Sequence, residues 1–112
     1  AAGLQIAWHL GDAAAPPLAP GTFDVVLERH VLWAMPDPAA ALEAWSTLLK
    51  PGGVLVLVEG RWWTGGGLAA GEVERMLETM GRTAATTPLP DPALWGAPTE
   101  DERYLVVSRS RL

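Results

Sequence analysis

Two short apolar runs limit what this chain can fold into. Phe23-Asp24-Val25-Val26-Leu27 and Val54-Leu55-Val56-Leu57-Val58-Glu59 are strand-sized, and each is almost continuously apolar. A strand without polar alternation is buried on both faces, as in a parallel sheet. The segment between them reads as a helix. Asp37 offers an N-cap and Pro38 suits the first turn. Ala39 to Leu49 carries Leu42, Trp45, Leu48 and Leu49 at helical spacing. Lys50-Pro51-Gly52-Gly53 then stops it, with a cation at the negative helix end followed by Pro and Gly. Strand, helix, strand implies a parallel crossover, so the fold class is α/β.

The remaining segments extend this pattern. Ala1-Ala2-Gly3 reads as a helix end. Leu4 to Leu10 reads as a short strand, with Leu4, Ile6, Trp8 and Leu10 on one face and Gln5, Ala7 and His9 on the other. Gly11-Asp12 ends it. Ala13 to Gly21 holds Pro16, Pro17 and Pro20 and reads as loop. Trp62 to Gly67 is a glycine-rich loop, and Glu72 to Met80 an amphipathic helix closed by Gly81. Arg82 to Leu89 is a weak strand, Asp91 to Glu100 a loop, and Tyr104 to Ser108 a final strand. Strands separated by helices imply parallel crossovers and a layered α/β architecture.

Composition narrows the function. Length is one domain or less at 112 residues, and 49% apolar with 19% charged residues is globular. A net charge of −5 leaves no basic footprint for nucleic acid or an anionic membrane surface. There are no cysteines, which excludes disulfides, thiolate nucleophiles and Cys-based zinc sites. His9 and His30 lie far apart, so no metal site is expected. No apolar run reaches membrane-spanning length and no signal pattern is present, so the expected location is cytoplasmic.

Ligands of open α/β sheets bind outside the carboxyl ends of the strands. Three such ends are polar here: Gly11-Asp12-Ala13, Glu28-Arg29-His30 and Glu59-Gly60-Arg61. The Asp12 carboxylate can accept from an exocyclic amine while the Ala13 N–H donates to a ring nitrogen, which together read a base edge. Asp12 as a plain turn cap is the competing reading. His30 is balanced between a structural and a site role. Trp33, Trp45, Trp62 and Trp63 default to packing.

Taken together, Gly11-Asp12-Ala13, Thr22-Phe23-Asp24-Val25-Val26, Glu28 to Trp33, Pro36-Asp37-Pro38 and Leu49-Lys50-Pro51-Gly52-Gly53 resemble the class I S-adenosylmethionine-dependent methyltransferases. The likeness is to their small-molecule, ubiquinone/menaquinone-methyltransferase-like group, and it runs from Leu4 to Arg109. It implies a partial Rossmann-like sheet, mostly parallel with an antiparallel C-terminal strand and helices packed on its faces, S-adenosyl-L-methionine as cofactor and a small-molecule acceptor. Gly11, Asp12 and Ala13 fall where the family contacts adenine, and Leu18 falls in the loop over the adenine face. Arg29, His30 and Val31 fall at the methionine end of the cofactor. Glu59 and Gly60 border the substrate pocket, with His30 or Glu59 as a general base where the acceptor needs one.

One part of the family pattern has no counterpart here: the opening strand, the Gly-x-Gly-x-Gly turn, the helix and the strand ending in an acid. On this reading residues 1–112 form the C-terminal portion of one methyltransferase domain, from the third strand onward. They are expected to bind little cofactor by themselves, because the glycine turn gives the cofactor its closest backbone approach. Leu4–Leu10 would then be an orphan strand that must pair elsewhere, cover itself or fray. Methyl transfer belongs to the intact domain. The alternative is a non-catalytic, methyltransferase-like module whose open strand is completed by a homodimer partner or an N-terminal segment. A nucleotide-binding or reductase fragment is disfavoured by the Lys-Pro-Gly-Gly turn.

Overall fold

The computed structural model describes residues 4–62, 65–89 and 102–111. Four strands form one sheet: β1 (Phe23–Arg29), β2 (Leu49–Arg61), β3 (Ala85–Pro88) and β4 (Glu102–Arg109), in the order β1-β2-β4-β3. β1 and β2 run parallel, and β4 lies antiparallel between β2 and β3. Two helices complete the fold, α1 (Pro38–Thr47) and α2 (Ala70–Thr79). The architecture is the expected α/β one, with an antiparallel C-terminal strand.

The crossover follows from local chemistry. Asp37 Oδ1 accepts the Ala40 N–H at 3.1 Å, capping α1 one residue ahead of Pro38. The far end of α1 is closed by the start of β1: the Gly21 N–H donates to the Thr47 carbonyl, and the Thr22 and Phe23 N–H groups donate to that of Leu48. Orphan helix carbonyls are thus satisfied by the next layer. β2 begins at Leu49, five residues before the apolar run. Phe23 faces Leu49 and Val25 already faces Val54, so Lys50 to Gly53 bulge out of the ladder. Gly52 sits at φ 81°, which glycine adopts without strain.

Register assigns the two faces. Val26 and Glu28 share a face with Leu55, Leu57 and Glu59 and with Tyr104, Val106 and Ser108. That face packs under both helices, in a core of Leu32, Leu42, Trp45, Leu55, Leu57, Val73, Leu77, Tyr104 and Val106. The other face carries Val25, Leu27, Val54, Val56, Val58, Leu105 and Val107. Among the described residues no helix covers it.

Leu4–Leu10 corrects the sequence reading. The segment joins no ladder, and Leu4, Ile6, Trp8 and Leu10 are 66–101% exposed. A strand exists only as part of a pair, and alternation in sequence cannot supply the partner. β1 spends its ladder on β2, and its other edge is unpaired among the described residues. The loop expected over Asp91–Glu100, the helix end at Ala1–Gly3 and Trp63 lie outside the described residues. No helix described is long and apolar enough to cross a membrane.

Candidate functional site

Two places gather polar or ligand-sized features, one along the edge of β1 and one beyond the carboxyl ends of the parallel pair. The first is an open hollow of about 470 Å³ wrapped around the free edge of β1. Phe23, Val25 and Leu27 line it from one side of the strand, with Ala13, Leu18, Val31, Trp45 and Leu48 on the other walls. Its only charged liners are Glu28 and Arg29. Trp45 Nε1 ties the loop from residue 13 there, donating to the Ala13 carbonyl at 2.7 Å. Of the residues assigned to the cofactor, Ala13, Leu18, Arg29 and Val31 meet in this hollow. Gly11, Asp12 and His30 do not line it.

Asp12 closes its own turn. Its Oδ1 accepts the Ala14 N–H at 2.9 Å, and its carbonyl accepts the Ala15 N–H at 3.0 Å. That is the turn-capping geometry short acids favour. Gly11 is crowded: a Cβ there would lie 2.9 Å from Pro17 Cδ.

The second place lies beyond the ends of β1 and β2, on the helix side. Glu28 is buried and accepts three backbone N–H groups: Leu32 at 2.7 Å, Val31 at 3.1 Å and Val58 at 3.1 Å. Glu59 has no exposed surface, and its Oε1 accepts the Trp33 N–H at 3.2 Å. Both carboxyls therefore grip the loop that leaves β1, which turns into a 3-10 segment at Leu32–Ala34. His30 sits inside that turn at φ 55°, left-handed for a residue with a side chain, and its N–H donates to the Val58 carbonyl at 2.9 Å.

Burial, then the neighbouring Glu28 carboxyl, push Glu59 up to about 8. His30 moves down, first through burial and then through the Arg29 and Arg103 charges. Tyr104 moves well above the usual phenol range through burial and the nearby carboxylates, and its hydroxyl donates to the Leu68 carbonyl at 2.8 Å.

Aromatic rings close the mouth. Trp62 meets His30 edge-on at 5.1 Å between centroids and Trp33 at 6.5 Å, while the Arg103 guanidinium lies 4.7 Å over its ring. Gly60 makes this possible, since a Cβ there would lie 2.5 Å from the Trp62 ring and 2.6 Å from the Glu102 carbonyl. The sequence points to His30 and Glu59 here; it marks Glu28 only as part of a polar strand end, leaves Trp33 and Trp62 to packing by default, and gives Arg103 no role. The available signal was period: Glu28 and Glu59 fall on the inward face of their strands, where a run of aliphatics is otherwise expected.

The sequence profile of the methyltransferase domain family matches residues 1–57, half of the chain. The chain belongs to this family, the class I S-adenosylmethionine-dependent methyltransferases. A ubiquinone biosynthesis O-methyltransferase of Colwellia psychrerythraea is 56% identical over 36 residues, covering 32% of this chain and 15% of that protein. The highly reducing polyketide synthase pkhB of Emericella nidulans is 55% identical over 40 residues, covering 36% and 2%. Among solved structures, the [4+2]-cyclase SpnF superposes with a TM-score of 0.74 at 19% identity, over 93% of this chain and 55% of its own. The trans-methyltransferase CalH, complexed with SAH, gives 0.70 at 23% identity, over 88% and 34%. The chain thus spans about half or less of the length of these relatives. These structural likenesses establish the fold, and the methyltransferase assignment comes from the sequence family.

Proposed function

We propose that this methyltransferase chain contributes the adenine-side wall and the acceptor-side wall of a domain that transfers a methyl group from S-adenosyl-L-methionine to a small molecule. The observation that carries the proposal is the docking of loop 13–18 against Trp45, which gathers Ala13, Leu18, Arg29 and Val31 around one apolar hollow. A flat purine suits such walls, and the Arg29 guanidinium suits a carboxylate at the hollow's rim.

The bound cofactor would supply an electrophilic methyl group on a sulfonium. The chain's own part is positional. Leu18 and Val31 exclude water from the purine, and the rings of Trp33 and Trp62 bound the space where an acceptor lies. Holding the acceptor in line with the methyl group is the main source of rate in such a transfer. His30, kept neutral by burial and by cationic neighbours, is suited to take a proton from an acceptor hydroxyl or amine. Glu59 is fully buried with one oxygen engaged, which suits holding the loop better than meeting a substrate.

Calorimetric titration with S-adenosylhomocysteine tests this. The 112 residues alone bind little. Joined to a strand, glycine-rich turn and helix ahead of residue 4, they bind in the micromolar range. In the joined protein Leu18→Asp weakens binding about tenfold or more. Undiminished binding by that variant removes the hollow from the cofactor site.

A second reading has its own observation. Val25 and Leu27 are 53% and 67% exposed on an edge strand that is unpaired among the described residues, a template for another chain. A non-catalytic module completed by a second copy would show as a dimer in light scattering, and a monomer at all concentrations would count against it.

A further inference from the structure

The two inward-facing carboxyls at the ends of β1 and β2 are chemically unequal, and their geometry says how. Glu28 collects three amide N–H groups, an arrangement that satisfies a full negative charge. Glu59 collects the Trp33 N–H on Oε1, while Oε2 is buried with no hydrogen-bond partner among the described residues. Glu28 stands opposite Leu57, two residues short of Glu59 on the same inward face, and its Oε2 accepts the N–H of Val58 next to Glu59; two ionised carboxylates set so close and out of water would repel, and neither could donate. One proton on Glu59 Oε2 removes both problems, because it turns that oxygen into a donor towards Glu28.

We infer that Glu28 and Glu59 are positioning residues, a pair that holds one shared proton and thereby fixes the 29–34 loop with His30 and Trp33 at the carboxyl end of the sheet. Glu28 holds the front of the loop through Val31 and Leu32, Glu59 holds its far side through Trp33, and Val58 ties Glu28 to β2. Removing the proton places a second charge beneath the loop, so the loop moves away and the contact between Trp33 and Trp62 opens. The groups facing Glu59 are Glu28 from β1, the His30 and Trp33 amides from the loop, and Tyr104 from β4. Arg103 acts on His30 and Trp62. The inference deepens the proposed function and rests on it for what the loop is positioned against.

The test reads the pair directly. In an amide NMR titration from about pH 6 to about pH 10, the Trp33 N–H shifts with a midpoint near 8, the value to which Glu59 is raised. His30 titrates below its usual range, and Tyr104 far above, so neither accounts for that step. Glu59→Gln keeps the acceptor for Trp33 and supplies a permanent N–H towards Glu28. It folds, loses the step and holds the Trp33 shift at its low-pH value. A flat wild-type profile, or the same step surviving in Glu59→Gln, overturns the inference. Neither result depends on cofactor binding, so failure here and failure of the methyltransferase reading are told apart.

Discussion

At the scale of single residues, Glu59 makes folding depend on pH. Its carboxyl is raised from 4.5 to about 8 in the folded protein. Between those values the folded chain binds more protons than the unfolded one, so stability falls as pH rises. The slope is at most about 1.4 kcal/mol per pH unit. The contribution is fully present below pH 4.5 and is gone once the pH passes the folded value. Glu59→Gln does not titrate. Chemical denaturation at several pH values should therefore show the variant gaining on the wild type from acid to about pH 8. Parallel curves would place the raised group elsewhere. Part of this was legible in the sequence, because His30 and Glu59 stand at the ends of apolar runs. The rest was not, because the effect of Glu28 depends on which amides turn back to meet it, and that is decided by a left-handed residue in a non-repeating loop.

At the scale of elements, the helices and the four paired strands were readable because each carries its own signal. Asp37-Pro38 caps, Lys50 to Gly53 stops, and the aliphatic runs demand burial. The beginning of β2 was misplaced because a bulge hides in the ladder with β1, and the alternation of Leu4 to Leu10 suggested a strand that has no partner. Hydrophobic period reports which face of an element is apolar and is silent on what lies beside its edge. The loop of residues 13–18 shows the converse. No local signal places it, yet an indole N–H from α1 ties it down. Trp45→Phe keeps the ring packing and removes that donor, at a cost of about 0.5–1.5 kcal/mol. The decisive measurement is amide exchange: the Ala15 and Leu18 N–H groups, bonded within the loop, should lose protection while α1 keeps its own. Unchanged exchange would mean that the prolines alone hold the loop.

At the scale of the whole molecule, the described residues dress the sheet on one face only. The helix side is close-packed around Leu55, Leu57, Val106 and Tyr104, while Val25, Leu27, Val54, Val56, Val58, Leu105 and Val107 share the other. Such a face and the bare edge of β1 favour association. Leu27 is 67% exposed, so Leu27→Lys should reduce self-association in light scattering while leaving the unfolding midpoint nearly unchanged, as surface substitutions do. On the reading of a module completed by a second copy, a dimer that survives in this variant would move the contact away from β1. The uncovered aliphatic face also fixes the thermal character of whatever lies down on it. Seven side chains would shed their hydration water in the event, so the heat capacity falls on docking. Added salt, which screens charges, would leave that docking largely intact, while cooling would loosen it.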